Sequence, residues 1–363
     1  MHRSSWERLI CLRTPLSPPI SEPMSNRPSS RGWPINIGAQ QVRERRIDRI
    51  LGALSSHASL TESDTVSNEP KKHHYVPQFY MRQFVCPTDP KKVMTLERHR
   101  NVVVADPKSI EGIGYEDHLH NYEVDGVGAS IESDINKAIE TPFSRGRTWR
   151  KVSSGQSATL DESDRFPIYG FARHLQRRNL ATLRFIESQH ARYRAGELED
   201  ELTDEERDYH AWLAEDPGAA HKMFRAGATD TMLPDDAAAI NVMVCQTPIP
   251  LRTSTNPTLM ISSPGHQSIF GAMFNSLRTW WLTLDQHHGA FIIAGGPSGF
   301  SSSTVPPEIA HVINRQYLTQ FLHGDARYML AHDEFIPADL EWAGFVFEKK
   351  TTRGFRYRKQ PRP

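Results

Sequence analysis

The sequence predicts an α+β fold, with a largely helical middle and short antiparallel strands before and after it. Three observations carry this. From about Asp164 to Arg194 apolar residues recur at helical spacing. Ahead of that stretch, VMTLERHRNVVVADP holds two β-rich runs around a polar turn. Beyond Leu233-Pro234, short β-branched and aromatic runs alternate with Pro, Gly and Ser clusters.

The elements follow in order. Up to Pro34 the chain carries five arginines, two acids and many serines and prolines. PLSPPISEP interrupts any amphipathic helix there, so the start reads as a disordered extension, or as sequence ahead of the true start codon. Residues 41–54, QVRERRIDRILGAL, read as a short helix. A polar linker leads to a boundary near Pro70. Residues 1–70 are thus an extension, 71–335 a single α+β domain, and 336–363 a carboxy-terminal strand and basic tail.

Within the domain, Val76, Phe79, Tyr80 and Phe84 are helically spaced, and Pro77 suits a first helical turn. Val93–Leu96 and Val102–Ala105 are the two early strands. Ile131–Ile139 fits a helix ended by Pro142. The long helix from Asp164 to Arg194 buries Ile168, Phe171, Ala172, Leu175, Leu183 and Ile186 along one stripe. Asn179 lies inside that stripe. Arg173, Arg177 and Arg184 fall on the far side and read as solvated, while Arg178 sits at the edge, able to enter a cleft.

Eight carboxylates crowd the twelve positions from Glu197 to Asp208, and TDEE at 203–206 resembles a capping box. They read as a solvated loop and helix start, with helix continuing to about Ala226. Asn241–Cys245, Thr279–Leu284, Ala290–Ala294 and Arg327–His332 are the late strands. His287-His288 before Gly289 is a hairpin turn. A last helix enters through Pro306 and stops at Gly324.

Bulk properties narrow the function. With 363 residues and 38% apolar content the chain can bury a sizeable core. Acids and bases balance at 43 each, so net charge gives no nucleic-acid footprint. Three cysteines, Cys11, Cys86 and Cys245, are an odd number without metal spacing. They point to a reducing, cytoplasmic compartment. No apolar run reaches the roughly 18 residues of a membrane span. There is no Gly-x-Ser-x-Gly elbow, and IIAGGPSG lacks the lysine of a phosphate-binding loop.

HHYVPQFYMRQF, residues 73–84, resembles the opening signature of the bacterial domain-of-unknown-function family DUF4238. Later features are similar in order: the IES…AIE helix near 131–140, a long helix with Arg178, a Thr-Ser-x-Asn-Pro turn at 253–257, and a late helix with Asn314. The likeness spans about 71–335. It implies an intracellular bacterial domain and supplies no reaction. The family turn reads Thr-Ser-Asp-Asn-Pro, whereas this chain has Thr255 at the acidic position.

The candidate site follows from these segments. His73 and His74, at the start of a helix, are the expected catalytic pair, one acting as acid or base. On an extended chain neighbouring side chains point apart, so the two do not share one metal. His118 and His120 add a second pair, but their spacing shares a face only on a strand, and no metal is assigned. Arg178 is expected to pair with Glu140 or Glu132, or to clamp an anion. Ser254, Asn256, Glu140 and Asn314 complete the expected ligand-binding set. The expected function is an intracellular protein with a polar anion-binding pocket formed by the HHYVP and TSTNP segments, acting as a phosphodiester hydrolase or nuclease. The alternative is a non-catalytic ligand-binding or regulatory module. The sequence names no cofactor; the expected partner is an anionic or phosphate-bearing ligand, without a membrane.

Overall fold

The computed structural model describes residues 71–124, 127–197, 207, 210–211, 218–229, 239–262, 279–294 and 298–360. The amino-terminal extension, the helix at 41–54 and the capping box at 203–206 lie outside them. The fold is α+β, as the sequence implies.

Strand β1 (Lys72–His74) opens the domain and is followed by the short helix α1 (Gln78–Met81), which tightens into a 3-10 turn at Arg82–Phe84. Pro77 precedes α1 as its amino-terminal cap. Next come β2 (Val85–Cys86), β3 (Asp89–His99), β4 (Val102–Ser109), β5 (Tyr115–Asp117), β6 (Asn121–Val124) and β7 (Val127–Ser130). The late strands are β8 (Ile240–Gln246), β9 (Thr253–Ser254), β10 (Thr258–Ser262), β11 (Thr279–Thr283), β12 (His288–Ala294), β13 (Gly299–Thr304), β14 (Tyr328–Leu330), β15 (Phe345–Lys350) and β16 (Phe355–Lys359).

Five of these form one sheet in the order β10-β11-β12-β8-β13. A second sheet runs β15-β16-β4-β3-β14-β9, with β2 also on β3. Two pairs, β1–β5 and β6–β7, stand apart. Among the described residues all pairings are antiparallel except β13 on β8. The β11–β12 turn holds His287 and His288, with Asp285 accepting from both backbone N–H groups. Residues 336–363 are more than a strand and tail. Helix Ile336–Trp342 precedes β15, and β16 joins the second sheet along β4.

Two helical expectations are corrected. The helix at 131–139 does not end at Pro142. It begins as α2 (Glu132–Ile135), widens into a π-helical turn over Asn136–Glu140, and continues as α3 (Thr141–Arg145). The Thr141 N–H reaches back five residues to the Asn136 carbonyl. A proline in a regular helix clashes with the carbonyl four residues earlier; the wider turn relieves that clash.

The expected single helix from Asp164 to Arg194 is also two helices. After α4 (Arg147–Ser153), α5 (Arg165–Arg177) stops at Arg178 and α6 (Leu180–Arg194) restarts at Asn179. The Asn179 side chain accepts from the Ala181 N–H and donates to the Thr255 carbonyl at 2.6 Å. A residue that caps a helix and ties a distant turn ends the preceding helix. The apolar stripe is buried as expected, but Arg173 and Arg177 are buried rather than solvated. Helix α7 (Ala219–Thr229) packs on α6, and α8 (Pro307–His323) ends at Gly324, whose φ of 92° is left-handed. No helix among the described residues is long and apolar enough to cross a membrane.

Candidate functional site

The β1–β5 pairing sets His73 opposite Glu116 and His74 opposite Tyr115. Alternation along the strand turns His73 fully inward and leaves Lys72 exposed and His74 half-buried. After β5 the chain turns through His118, whose φ of 58° is left-handed, and this drives Leu119 and His120 inward. His118 itself stays exposed. The His118–His120 pair therefore shares no face, and only His120 reaches the interior.

His73 and His120 stack, with ring centroids 5.3 Å apart and planes 17° apart. The His120 backbone N–H donates to His73 Nδ1 at 2.9 Å. His73 Nδ1 is therefore an acceptor, and neutral His73 carries its proton on Nε2. His120 has the opposite arrangement. Its Nδ1 contacts Glu132 Oε2 at 2.5 Å, so Nδ1–H donates to the carboxylate and Nε2 keeps a lone pair. Neither Nε2 has a partner among the described residues. The stacked pair thus holds one buried, unpartnered donor and one buried, unpartnered acceptor.

Arg178, at the break between α5 and α6, completes the cluster. Its Nη1 contacts Glu140, the last residue of the π-helical turn, and lies 3.2 Å from His174 Nε2. Its Nε and Nη2 have no partner among the described residues, and the side chain is fully buried. Arg178 also acts electrostatically on His74, His120 and Glu132. His174 lines a cavity of about 560 Å³ walled by Ile139, Pro142, Phe143 and Phe171. Phe143 and Phe171 stack there at 4.1 Å.

Burial dominates the protonation of these groups. It holds His120 down at about 4, although the Glu132 hydrogen bond pulls upward. It holds His174 at about 3, with the nearby Arg177 charge adding to the effect. Burial would raise the Glu132 carboxyl, but the His120 hydrogen bond and the Arg178 charge prevail, and it lies below its ordinary value. Burial also lowers Arg178 to about 10, which leaves it cationic at neutral pH. Both low histidines ordinarily titrate near 6.5. Between about 6.5 and about 4 the unfolded chain takes protons that the folded chain refuses, so stability falls as pH drops through that window. Melting temperature should decline steadily from about pH 7 to about pH 4.5. His174→Gln should flatten the decline; an unchanged slope would show that other groups set it.

His73, His120 and Glu132 each present an atom within 4.8 Å of the others, a spacing that suits a metal ion. The hydrogen bonds argue for a different use. A metal at His73 Nε2 requires the proton on Nδ1, where the His120 N–H already donates. The pair as built is a donor beside an acceptor.

Residues 72–277 match the family described as "Protein of unknown function (DUF4238)". The chain belongs to the DUF4238 family. No curated protein and no solved structure matches it. The DUF4238 region contains all of His73, His120, Glu132, Glu140 and Arg178, while Asn314 lies beyond it.

Of the expected site residues, Arg178 and Glu140 are in contact, and the Arg178 charge reaches His74 and the His120–Glu132 pair that adjoins His73. The side chains of Thr253, Ser254 and Thr255 in the TSTNP turn are engaged elsewhere, and Asn256 takes part through its backbone. The Ser254 hydroxyl accepts from the Asn256 N–H and donates to Gln320 Oε1 at 2.7 Å. Asn314 donates to the Pro250 carbonyl and accepts from the Arg252 N–H. The turn meets the cluster through its backbone, by way of Asn179. Thr255, at the position where the DUF4238 turn carries an acid, accepts from the Arg327 and Tyr328 N–H groups at 3.0 Å each. An aspartate carboxylate can accept the same two bonds, so this departure leaves the histidine cluster untouched.

Sequence reasoning passed over His120 and Glu132 as a unit. The usable signal was the i, i+12 pairing of a histidine and a helix-start glutamate bridging a hairpin, which is too common to stand out among 17 histidines.

Proposed function

We propose that this chain hydrolyses a phosphodiester, with His120 as the base. The observation that carries the reading is the pair of stacked, buried imidazoles with opposite free Nε2 atoms, within electrostatic reach of the unpartnered edge of Arg178. A phosphoryl group placed there meets the His73 Nε2–H and the Arg178 Nε–H and Nη2–H. The His120 Nε2 lone pair takes a proton from water as the water oxygen bonds to phosphorus. Glu132, already hydrogen-bonded to Nδ1, stabilises the imidazolium. The bond from phosphorus to the leaving oxygen breaks, and that oxygen takes the proton back from His120. His73 keeps its own proton and holds a non-bridging oxygen. Arg178 offsets the growing negative charge. The cavity beside His174 accommodates an organic substituent of the phosphate.

A non-catalytic ligand-binding module is the second reading. The full burial of His73, His120 and Arg178 favours it, because a turnover site must admit water. The side chains of Glu132 and Glu140, 15% and 13% exposed, give the cluster a narrow edge toward solvent. The free, buried thiols of Cys86 and Cys245 suit the cytoplasm as the setting of either activity.

The test is turnover of a phosphodiester panel that starts with bis(p-nitrophenyl) phosphate. His120→Ala should lower kcat by about 10²–10⁴-fold, while His74→Ala should retain most activity. Thermal stabilisation by these compounds without product would favour the binding module. Full activity in His120→Ala would rule out the proposed base.

A further inference from the structure

The carboxy-terminal hairpin lies outside the family match and outside the histidine site. Residues 345–360 hold Lys349, Lys350, Arg353, Arg356, Arg358 and Lys359 against one acid, Glu348, in a chain of zero net charge overall. Glu348 pairs with Arg356 and Arg358. No acid among the described residues pairs with Lys349, Lys350 or Arg353.

The register sorts these residues by face. Phe347 lies opposite Tyr357, Lys350 opposite Phe355, and Phe345 opposite Lys359. Directly opposed residues in an antiparallel pair share a face. One face therefore carries Phe345, Phe347, Tyr357 and Phe355 with Lys350 and Lys359, and no acid. On β4 this face is covered, because Val103 and Ala105, opposite Tyr357 and Phe355, are buried. Toward the turn that joins β15 and β16 the cover runs out, although Phe345 and Tyr357 stay buried. Phe347 is 57% exposed and Phe355 41%, with their rings 6.4 Å apart. After a bulge at Phe347–Lys349, Lys350 returns to this face opposite Phe355, while Lys349, opposite Arg356, falls on the other.

We propose that this face binds single-stranded nucleic acid, with Phe347 and Phe355 as base-stacking platforms and the flanking cations on the phosphates. Exposed aromatic rings interleaved with unpaired cations are what a single strand needs. A second copy of this chain is disfavoured because like-charged hairpins repel. An anionic bilayer is disfavoured because the exposed apolar groups are two isolated rings without aliphatic neighbours. The inference stands on the hairpin alone and does not depend on the hydrolase reading.

The test is fluorescence anisotropy of the full chain with labelled oligothymidylate of about a dozen nucleotides at about 50 mM salt. Binding is expected, with affinity falling linearly in log salt. The double variant Phe347→Ala/Phe355→Ala should weaken it by about tenfold or more. Lys350→Glu should weaken it and flatten the salt dependence. Phe347, Phe355 and Lys350 are exposed, so melting temperature should hold. No binding at low salt, or wild-type affinity in the phenylalanine variant, overturns the proposal. So does equal affinity for a duplex of the same length, or capture by phosphatidylserine vesicles in preference to the oligonucleotide.

Discussion

A Glu132→Gln variant should lose about a hundredfold or more in kcat on any phosphodiester the protein turns over, with KM little changed. The carboxylate accepts from His120 Nδ1 at 2.5 Å and thereby keeps the Nε2 lone pair aimed at the substrate position. A glutamine amide can turn its NH₂ toward Nδ1. The ring proton then moves to Nε2, and the base is lost although the ring has not moved. The imidazolium formed during turnover also loses its countercharge. Because both residues serve one function, Glu132→Gln in a His120→Ala background should cost little more than His120→Ala alone. Additive losses would mean that Glu132 acts independently of the imidazole. Full activity in Glu132→Gln would make the contact purely structural.

Replacing Arg252 should produce the largest loss of stability. Its guanidinium is fully buried and holds Asp333 through two bonds of 2.7 Å. Its third nitrogen lies 2.8 Å from Asp339, which also pairs with Arg315. The Arg252 backbone is fixed as well, donating to Asn314 and accepting from the Thr283 hydroxyl. Arg252→Met removes the cation, strands the Asp333 carboxylate and leaves Asp339 with Arg315 alone, at a cost of about 3–5 kcal/mol. That is a large share of the roughly 5–15 kcal/mol that holds a domain together. Denaturant titration should show the midpoint falling accordingly. Adding Asp333→Leu should recover part of the loss, since an apolar pair avoids the unpaired charge. A double variant no better than Arg252→Met would show that packing, not charge, sets the cost.

Much of the fold was legible because its punctuation is local. The helix from Pro307 to His323 is bracketed by prolines and a left-handed glycine, and all three signals lie in the sequence. β3 and β4 were legible from their β-branched runs, although each extends beyond those runs. β13, GFSSST, was not, because its composition is that of a loop; it is a strand through its parallel pairing with β8. The break at Asn179 was hidden for a related reason. Its partner, the Thr255 carbonyl, is 76 residues away. In the site, His73 and Arg178 were legible as residues, but the arrangement was not. His120 enters through a single left-handed residue, and the protonation of both rings depends on one backbone N–H and one carboxylate brought in by folding.

The widened turn at Asn136–Glu140 makes the spacing between two acids a matter of counting. Glu132 precedes it and serves His120; Glu140 closes it and serves Arg178. Five residues of the wider turn carry the chain about as far round as four of regular helix, so losing one there would restore the regular winding and leave Glu140 on the same side of the axis. The deletion would instead return the Pro142 ring to the carbonyl four residues before it. A three-base loss in the gene would therefore spare the cluster and strain the helix, so variants of this segment are better compared by length than by identity.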